Sequence, residues 1–275
     1  MPSLISAMTS SDSKPVIRII HNLARTGGTL ICRCLGSMHN IVLLSEIHPT
    51  GSLGNPEFNP VVQAQQWYGL LTADDIASAQ QNSNLDFPDV IDLISRRCSE
   101  LNRVLLIRDW TQLDFLAAPF ISNPCHRLTI IEALRDRFDI IQTTTVRHPI
   151  GQWLSLNKVP LVQGRLSLDD FLYGYRQFAN HCARIGFARY EDFVRYPEAK
   201  TQELCERLKV AYDPGFLLRW SNYDRITGDT TSMGRKEIKV PPKKPSNPGL
   251  LALFKKNSDY QASLELLGYT HPHIK

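Results

Sequence analysis

The chain has 275 residues, of which 43 % are hydrophobic and 21 % are charged. This is an ordinary globular composition, and it excludes a disordered or fibrous protein. The 31 lysines and arginines stand against 27 aspartates and glutamates, for a formal net charge of +4. That excess is too small for a dedicated nucleic-acid-binding protein, but it is compatible with a small anionic ligand if the positive charge is focused.

The six cysteines are irregularly spaced, with one Cys-x-Cys pair and no Cys-x-x-Cys pair. This spacing predicts free thiols in a reducing compartment rather than disulfides or a metal site. Residues 1–14 are polar and rich in serine, so we expect a disordered N-terminal segment without an apolar leader. No run approaches the ~20 apolar residues of a membrane span. We therefore expect a cytoplasmic protein.

Four apolar runs rich in β-branched residues are predicted strands: 16–20, 41–44, 104–107 and 140–146. Helices are predicted at 168–184 and 197–208, and a last one near 262–267. Short apolar strands that alternate with helices are typical of an α/β fold, in which helices flank a parallel sheet. We expect a single domain over 15–275, with an insertion at 49–101 that caps a site at the carboxyl ends of the strands.

The first predicted strand leads into a loop with the sequence Arg25, Thr26, Gly27, Gly28 and Thr29, followed by an amphipathic helix. A strand, a glycine turn and a helix N-terminus together favour phosphate-type anions, because free N–H groups and the helix dipole point at the ligand. The guanidinium and the two hydroxyls can add hydrogen bonds. The alternative is a simple chain reversal capped by Thr29. The Gly-Lys-Ser/Thr ending of a Walker A loop is missing, which argues against an ATPase or kinase.

A second candidate anion site follows the predicted strand 140–146. Arg147 ends that strand, Pro149 comes two residues later, and Ser155 comes eight residues after the arginine. An arginine at the carboxyl end of a parallel strand lies at the ligand-binding edge of the sheet. Since proline suits the first turn of a helix, the serine hydroxyl can return toward a ligand of Arg147. The alternative is an arginine that pairs with a carboxylate at the sheet edge.

Together these segments resemble the sulfotransferase superfamily, in the form found in bacterial members and tyrosylprotein sulfotransferases. The first loop resembles the family's 5′-phosphosulfate loop, and Arg147 with Ser155 matches its 3′-phosphate motif. Tyr190 begins a Tyr-Glu-Asp segment whose tyrosine lies near the nucleotide in the family. Residues 226–235, which include Arg235, are similar to the late basic loop that closes over the nucleotide.

The resemblance implies a P-loop-like sulfotransferase fold and a sulfuryl donor, 3′-phosphoadenosine 5′-phosphosulfate (PAPS). The acceptor would be a hydroxyl of a small molecule, carbohydrate or peptide, and 3′-phosphoadenosine 5′-phosphate (PAP) would be the product. Arg25 with its loop, and Arg147 with Ser155, would hold the two anionic ends of the donor. A sulfuryl group bears less charge than a phosphoryl group, so we expect no metal. The alternatives are a catalytically silent nucleotide-binding relative and, less favoured, a nucleotide kinase.

Two candidate general bases, Glu46 and His48, follow the second predicted strand. In tyrosylprotein sulfotransferases a glutamate follows the loop arginine by 21 residues, as Glu46 follows Arg25 here. The resemblance therefore favours Glu46, which would need a pKa raised by burial to act near neutral pH. His48 is the alternative, because many cytosolic sulfotransferases use a histidine.

Arg108 ends the third predicted strand, where related enzymes carry a lysine that stabilises charge on the leaving oxygen. We expect Arg108 to provide the same electrostatic stabilisation without acting as an acid; the alternative is a structural pair with Asp109. Gly28 stands where many members have threonine, so one hydroxyl donor is missing. Three aromatic residues are candidates for stacking on an acceptor, with core packing as the alternative: Trp67, Tyr68 and Trp110.

Overall fold

The structure is a computed structural model that describes residues 14–52, 54–81, 86–228, 233–240 and 247–272, apart from the side chains of 78–81. The segment expected to be disordered, 1–14, lies outside these residues except for Lys14. Among the helices of the described ranges, none is long and apolar enough to cross a membrane.

Five parallel strands form one sheet in the order β2-β3-β1-β4-β5. The strands are β1 (Val16–Asn22), β2 (Ile41–Ile47), β3 (Val104–Asp109), β4 (Asp139–Val146) and β5 (Phe187–Arg189). The predicted parallel α/β sheet is confirmed. The observed strands extend beyond the apolar runs because their polar ends, such as His21 and Asn22, continue the hydrogen-bonded register with β3 and β4.

Helices cover the sheet on both faces. In chain order they are α1 (Gly28–Gly36), α2 (Pro60–Tyr68), α3 (Ala73–Gln81), α4 (Phe87–Glu100), α5 (Gln112–Phe115), α6 (Thr129–Leu134), α7 (Pro149–Leu156), α8 (Leu168–Ile185), α9 (Tyr190–Arg195), α10 (Pro197–Leu208), α11 (Phe216–Arg219), α12 (Pro248–Lys256) and α13 (Ser258–Leu267). Short 3₁₀ helices span Pro56–Phe58 and Trp220–Asn222. The last helix begins earlier than expected, because Asn257 caps it by accepting the Tyr260 N–H.

The two-residue period of β1 assigns its side chains to two apolar layers. Ile17 and Ile19 are fully buried on one face, in a cluster with Ile91 of α4. Ile20 points to the other face, where it joins Leu30 of α1. Both faces of the sheet are therefore covered by apolar side chains, as the apolar strands predict.

The segment 49–101 contributes to two places. Its longest helix, α4, packs against one face of the sheet and completes that layer. Of the residues of this segment that the structure describes, those of the 3₁₀ helix Pro56–Phe58 reach the cavity at the carboxyl ends of the strands, through Glu57 and Phe58. The part of the segment that borders the site is thus much shorter than the expected cap, because most of its apolar residues are needed to cover the sheet.

Candidate active site

A single cavity collects nearly all of the predicted site residues at the carboxyl edge of the sheet. Of those predictions, the following line it: Arg25, Gly27, Gly28, Thr29, Glu46, Arg108, Arg147, Ser155, Tyr190 and Arg235. Parallel strands end at a common edge, so segments that are far apart in sequence meet there. Thr26 does not line the cavity. Its buried hydroxyl donates instead to the Leu23 carbonyl oxygen at 2.8 Å, within the loop itself.

The loop between β1 and α1 has a backbone that only certain residues adopt easily. Gly27 caps α1 in the left-handed region, with φ of 90°. A Cβ atom at this position would overlap the Tyr190 ring, so glycine is required for the loop to approach the tyrosine. Arg25 is also left-handed, with φ of 70°. Such strain in a residue other than glycine costs on the order of 1–3 kcal/mol and is concentrated at functional sites.

Arg147, Tyr190 and Arg235 form one group of contacting side chains on the wall of the cavity. The Arg147 guanidinium lies 4.9 Å from the centre of the Tyr190 ring, and the Tyr190 hydroxyl accepts a hydrogen bond from Arg235 at 3.1 Å. None of the ion pairs in the described ranges involves Arg147, whose guanidinium donates to the Arg25 carbonyl at 3.1 Å. Burial lowers the pKa of Arg147, since the cation has lost water that an anionic ligand would replace.

Ser155 links the two predicted anion sites instead of serving Arg147 alone. It lies on α7, which starts at Pro149 as expected. Its hydroxyl accepts a hydrogen bond from the Arg25 Nε at 3.0 Å. The guanidinium of the first loop and the hydroxyl of the second site are therefore in direct contact, and both groups face the cavity.

Glu46 reaches the cavity because β2 is irregular at its end. The register between β2 and β3 shifts between Ser45 and Ile47, and Glu46 takes a left-handed φ of 56°. One carboxylate oxygen pairs with Arg108 at 3.0 Å. The other accepts a hydrogen bond from the Thr227 hydroxyl at 2.6 Å. The bulge thus holds the carboxylate at a defined position on the cavity wall.

Arg108 pairs with Glu46 and not with its neighbour in sequence. It is 3 % exposed, and it also donates to the Ser45 hydroxyl at 3.2 Å and the Thr227 carbonyl at 3.0 Å. The alternative pair with Asp109 is not formed. Asp109 points to the opposite face of the sheet, where it binds His21 at 2.7 Å, because successive side chains of a strand alternate between the two faces.

His48, the alternative base, lies away from the cavity wall and is 4 % exposed. Its Nε2 lies 3.1 Å from an Asp114 oxygen and 2.9 Å from the Thr129 hydroxyl. Its Nδ1 lies 2.8 Å from the Thr50 hydroxyl. Both ring nitrogens are therefore engaged inside a buried polar cluster.

Known proteins match this chain in structure but not in sequence. No family model and no curated protein matches it. The sulfotransferase domain from the curacin biosynthetic pathway superimposes with a TM-score of 0.63 at 19 % identity, over 94 % of this chain and 100 % of that one. The sulfotransferase domain of the Synechococcus PCC 7002 olefin synthase gives 0.65 at 18 % identity, over 96 % and 98 %. This chain has the sulfotransferase fold. In the ranges that the structure describes, no group of three or more His, Cys, Asp or Glu residues is placed to hold a metal ion.

Two buried residues that support this site were not predicted from the sequence. Arg33 of α1 donates to the carbonyls of Ser221 at 2.9 Å and Tyr223 at 3.0 Å, and also to that of Arg235 at 3.0 Å. It thereby fixes the late basic segment against the helix of the first loop. Gln63 binds both backbone groups of Ser45 at 2.7 Å. Neither residue belongs to a local motif, so the sequence carries no signal for its role.

Of the three aromatic candidates, only Trp110 lines the cavity. Its ring lies 4.2 Å from that of Phe58 and 5.3 Å from that of Phe120, measured between centroids. Tyr68 instead bonds the Tyr223 hydroxyl at 2.6 Å, outside the cavity wall. Trp67 does not line the wall either. Phe58 and Phe120 were missed because nothing in the sequence separates them from core aromatics.

The structure gives a steric reason for the glycine at position 28. A Cβ atom there would lie 2.5 Å from the Asn22 side chain, whose oxygen accepts a hydrogen bond from the Arg108 Nε at 3.3 Å. We expect Gly28→Thr to displace Asn22 and to lower the free energy of unfolding by about 1–3 kcal/mol, as overpacking does. Urea unfolding measures this change. In an Asn22→Gly background, where the clash is absent, the same Gly28→Thr change should cost much less, and an equal cost in both backgrounds would contradict this explanation.

Proposed function

We propose that this protein is a sulfotransferase that moves a sulfuryl group from PAPS to a hydroxyl acceptor and releases PAP. One observation carries the proposal: on a sulfotransferase fold, four arginines line one cavity at the carboxyl edge of the sheet, namely Arg25, Arg108, Arg147 and Arg235. Like charges that lie close together repel one another, and the Glu46 carboxylate pairs with only one of the four, Arg108. A ligand with several anionic groups accounts for their convergence.

The order of the strands supports a direction for the donor. Arg147 and Ser155 follow β4, on one side of the sheet, and would hold the 3′-phosphate. The central strand β1 carries the loop of Arg25, whose glycines and helix N-terminus would hold the 5′ end. Glu46 and Arg108 lie on the other side, at β2 and β3. The donor residues and the proposed base are thus arranged in sequence across one edge.

The chain's own residues supply the rest of the chemistry. When bound, the donor supplies an activated sulfuryl group. Glu46 is held by Arg108 and Thr227 with its carboxylate on the wall, and it takes the proton of the acceptor hydroxyl. Arg108 remains charged at ordinary pH, so it stabilises negative charge that develops beside it but does not deliver a proton.

All six cysteines are free thiols. Free thiols are characteristic of a reducing compartment, and they support our placing of this enzyme in the cytoplasm.

Calorimetry with PAP and AMP tests the donor assignment without knowledge of the acceptor. We expect PAP to bind with micromolar or tighter affinity, roughly −8 kcal/mol, and AMP to bind much more weakly because it lacks the 3′-phosphate. Equal binding of the two nucleotides would contradict the proposal and favour a catalytically silent relative. ATP-dependent phosphoryl transfer would instead favour a nucleotide kinase.

A further inference from the structure

Large apolar side chains form one part of the cavity wall. The rings of Phe58 and Phe120 both pack against that of Trp110, the first tilted and the second edge-on, and Leu161 lines the same cavity. Phe120 is 48 % exposed and Leu161 is 54 % exposed. Large apolar side chains that remain exposed around a cavity mouth mark a surface suited to an apolar ligand.

Glu57 is the charged residue of this apolar part of the wall. Its side chain is exposed and borders the cavity beside Phe58. Within the described ranges, no side chain pairs with its carboxylate. By contrast, the neighbouring Glu46 is neutralised by Arg108 at 3.0 Å. A ligand that enters here therefore meets an uncompensated negative charge.

Gln63 fixes the position of Glu57 relative to the proposed base. Its amide nitrogen donates to the Glu57 carbonyl and to the Ser45 carbonyl, each at 2.7 Å. The Asn55 side chain also accepts the Glu57 N–H at 2.9 Å. Because Ser45 directly precedes Glu46, one buried side chain ties the two glutamates to a common frame. The backbone at position 57 is thus held beside the cavity.

We propose that Glu57, with Phe58, Trp110 and Phe120, forms the acceptor site and selects alcohols with an apolar body that are neutral or cationic. This inference rests on the proposed function, which assigns the arginine-lined side to the donor. An acceptor that carries a carboxylate or phosphate near its apolar body would be repelled by Glu57. An ammonium group at that place would be attracted.

Three matched alcohols test this selection: 3-phenylpropan-1-ol and its para-aminomethyl and para-carboxy derivatives. Quenching of tryptophan fluorescence reports their binding, in protein with and without saturating PAP. In wild type saturated with PAP, whose anionic groups would occupy the arginine-lined side, we expect the aminomethyl compound to bind about tenfold more tightly than the carboxy compound. Transfer of labelled sulfate from PAPS should follow the same order.

Variants at position 57 separate charge from shape. Glu57→Gln should bring the three affinities together, and Glu57→Lys should reverse their order. Glu265→Lys makes the same change of charge at an exposed residue of α13 outside the cavity, and it should leave the order unchanged. Phe120→Ser should weaken all three alcohols alike, since it removes apolar wall without changing charge.

The acceptor inference and the donor proposal fail in different ways. If PAP binds normally but wild type shows no charge preference, or binds none of the alcohols, the acceptor site is overturned and the donor assignment stands. An order that persists unchanged in Glu57→Lys would also overturn it. If PAP does not bind, the proposed function fails, whatever the alcohols do.

Discussion

Replacing Arg147 by alanine is expected to weaken PAP binding by about 2–5 kcal/mol, or roughly 30- to 4,000-fold in Kd. The guanidinium is half-buried, lies against the Tyr190 ring, and forms none of the ion pairs in the described ranges. It would therefore meet the 3′-phosphate as its main charged partner. Removing it leaves that phosphate desolvated without compensation.

Calorimetry of PAP and AMP on the same variant identifies which phosphate is affected. The Arg147→Ala protein should lose its preference for PAP, because AMP lacks the group that this residue contacts. Arg195→Ala removes an exposed arginine outside the cavity wall and controls for the loss of one charge. A change in PAP affinity below threefold in Arg147→Ala would remove Arg147 from the donor site.

Replacing Glu46 by glutamine is expected to lower the rate of sulfate transfer by about 10²–10⁴-fold, the usual contribution of a general base. Glutamine keeps the size of the side chain and an oxygen that can accept from Thr227, but it cannot take the acceptor proton. PAP binding should change much less than turnover, because Glu46 lies on the β2 side, away from Arg147.

Single-turnover transfer of labelled sulfate, with PAP binding measured in parallel, separates these two effects. His48→Gln is the matched comparison, since this histidine is engaged in a buried cluster and lies off the wall. The His48→Gln protein that folds should transfer sulfate at the rate of wild type. Equal turnover in Glu46→Gln and wild type would exclude Glu46 as the base, and a selective loss in folded His48→Gln would favour the histidine.

Much of the architecture was predictable because it depends on short-range patterns. β-branched apolar runs predicted four of the strands. The glycine loop around Gly27 and the spacing from Arg147 to Ser155 predicted candidate anion sites directly after β1 and β4. Parallel strands end at a common edge, so the sequence also predicted that these segments would meet. These features depend on local periodicity and on the direction of the strands, both of which a single sequence contains.

The partners of the site residues were decided by the tertiary structure. Glu46 reaches the wall through a bulge in β2, and its partner Arg108 comes from a strand 62 residues away in the chain. The Gln63 bridge and the Asn22 side chain that requires glycine at position 28 also depend on contacts across the fold. Which face a side chain takes, and what it meets there, is determined by packing between distant segments. For this protein, the sequence by itself determined the sheet and the segments at its edge, and only their packing decided which charges are paired and which remain available to a ligand.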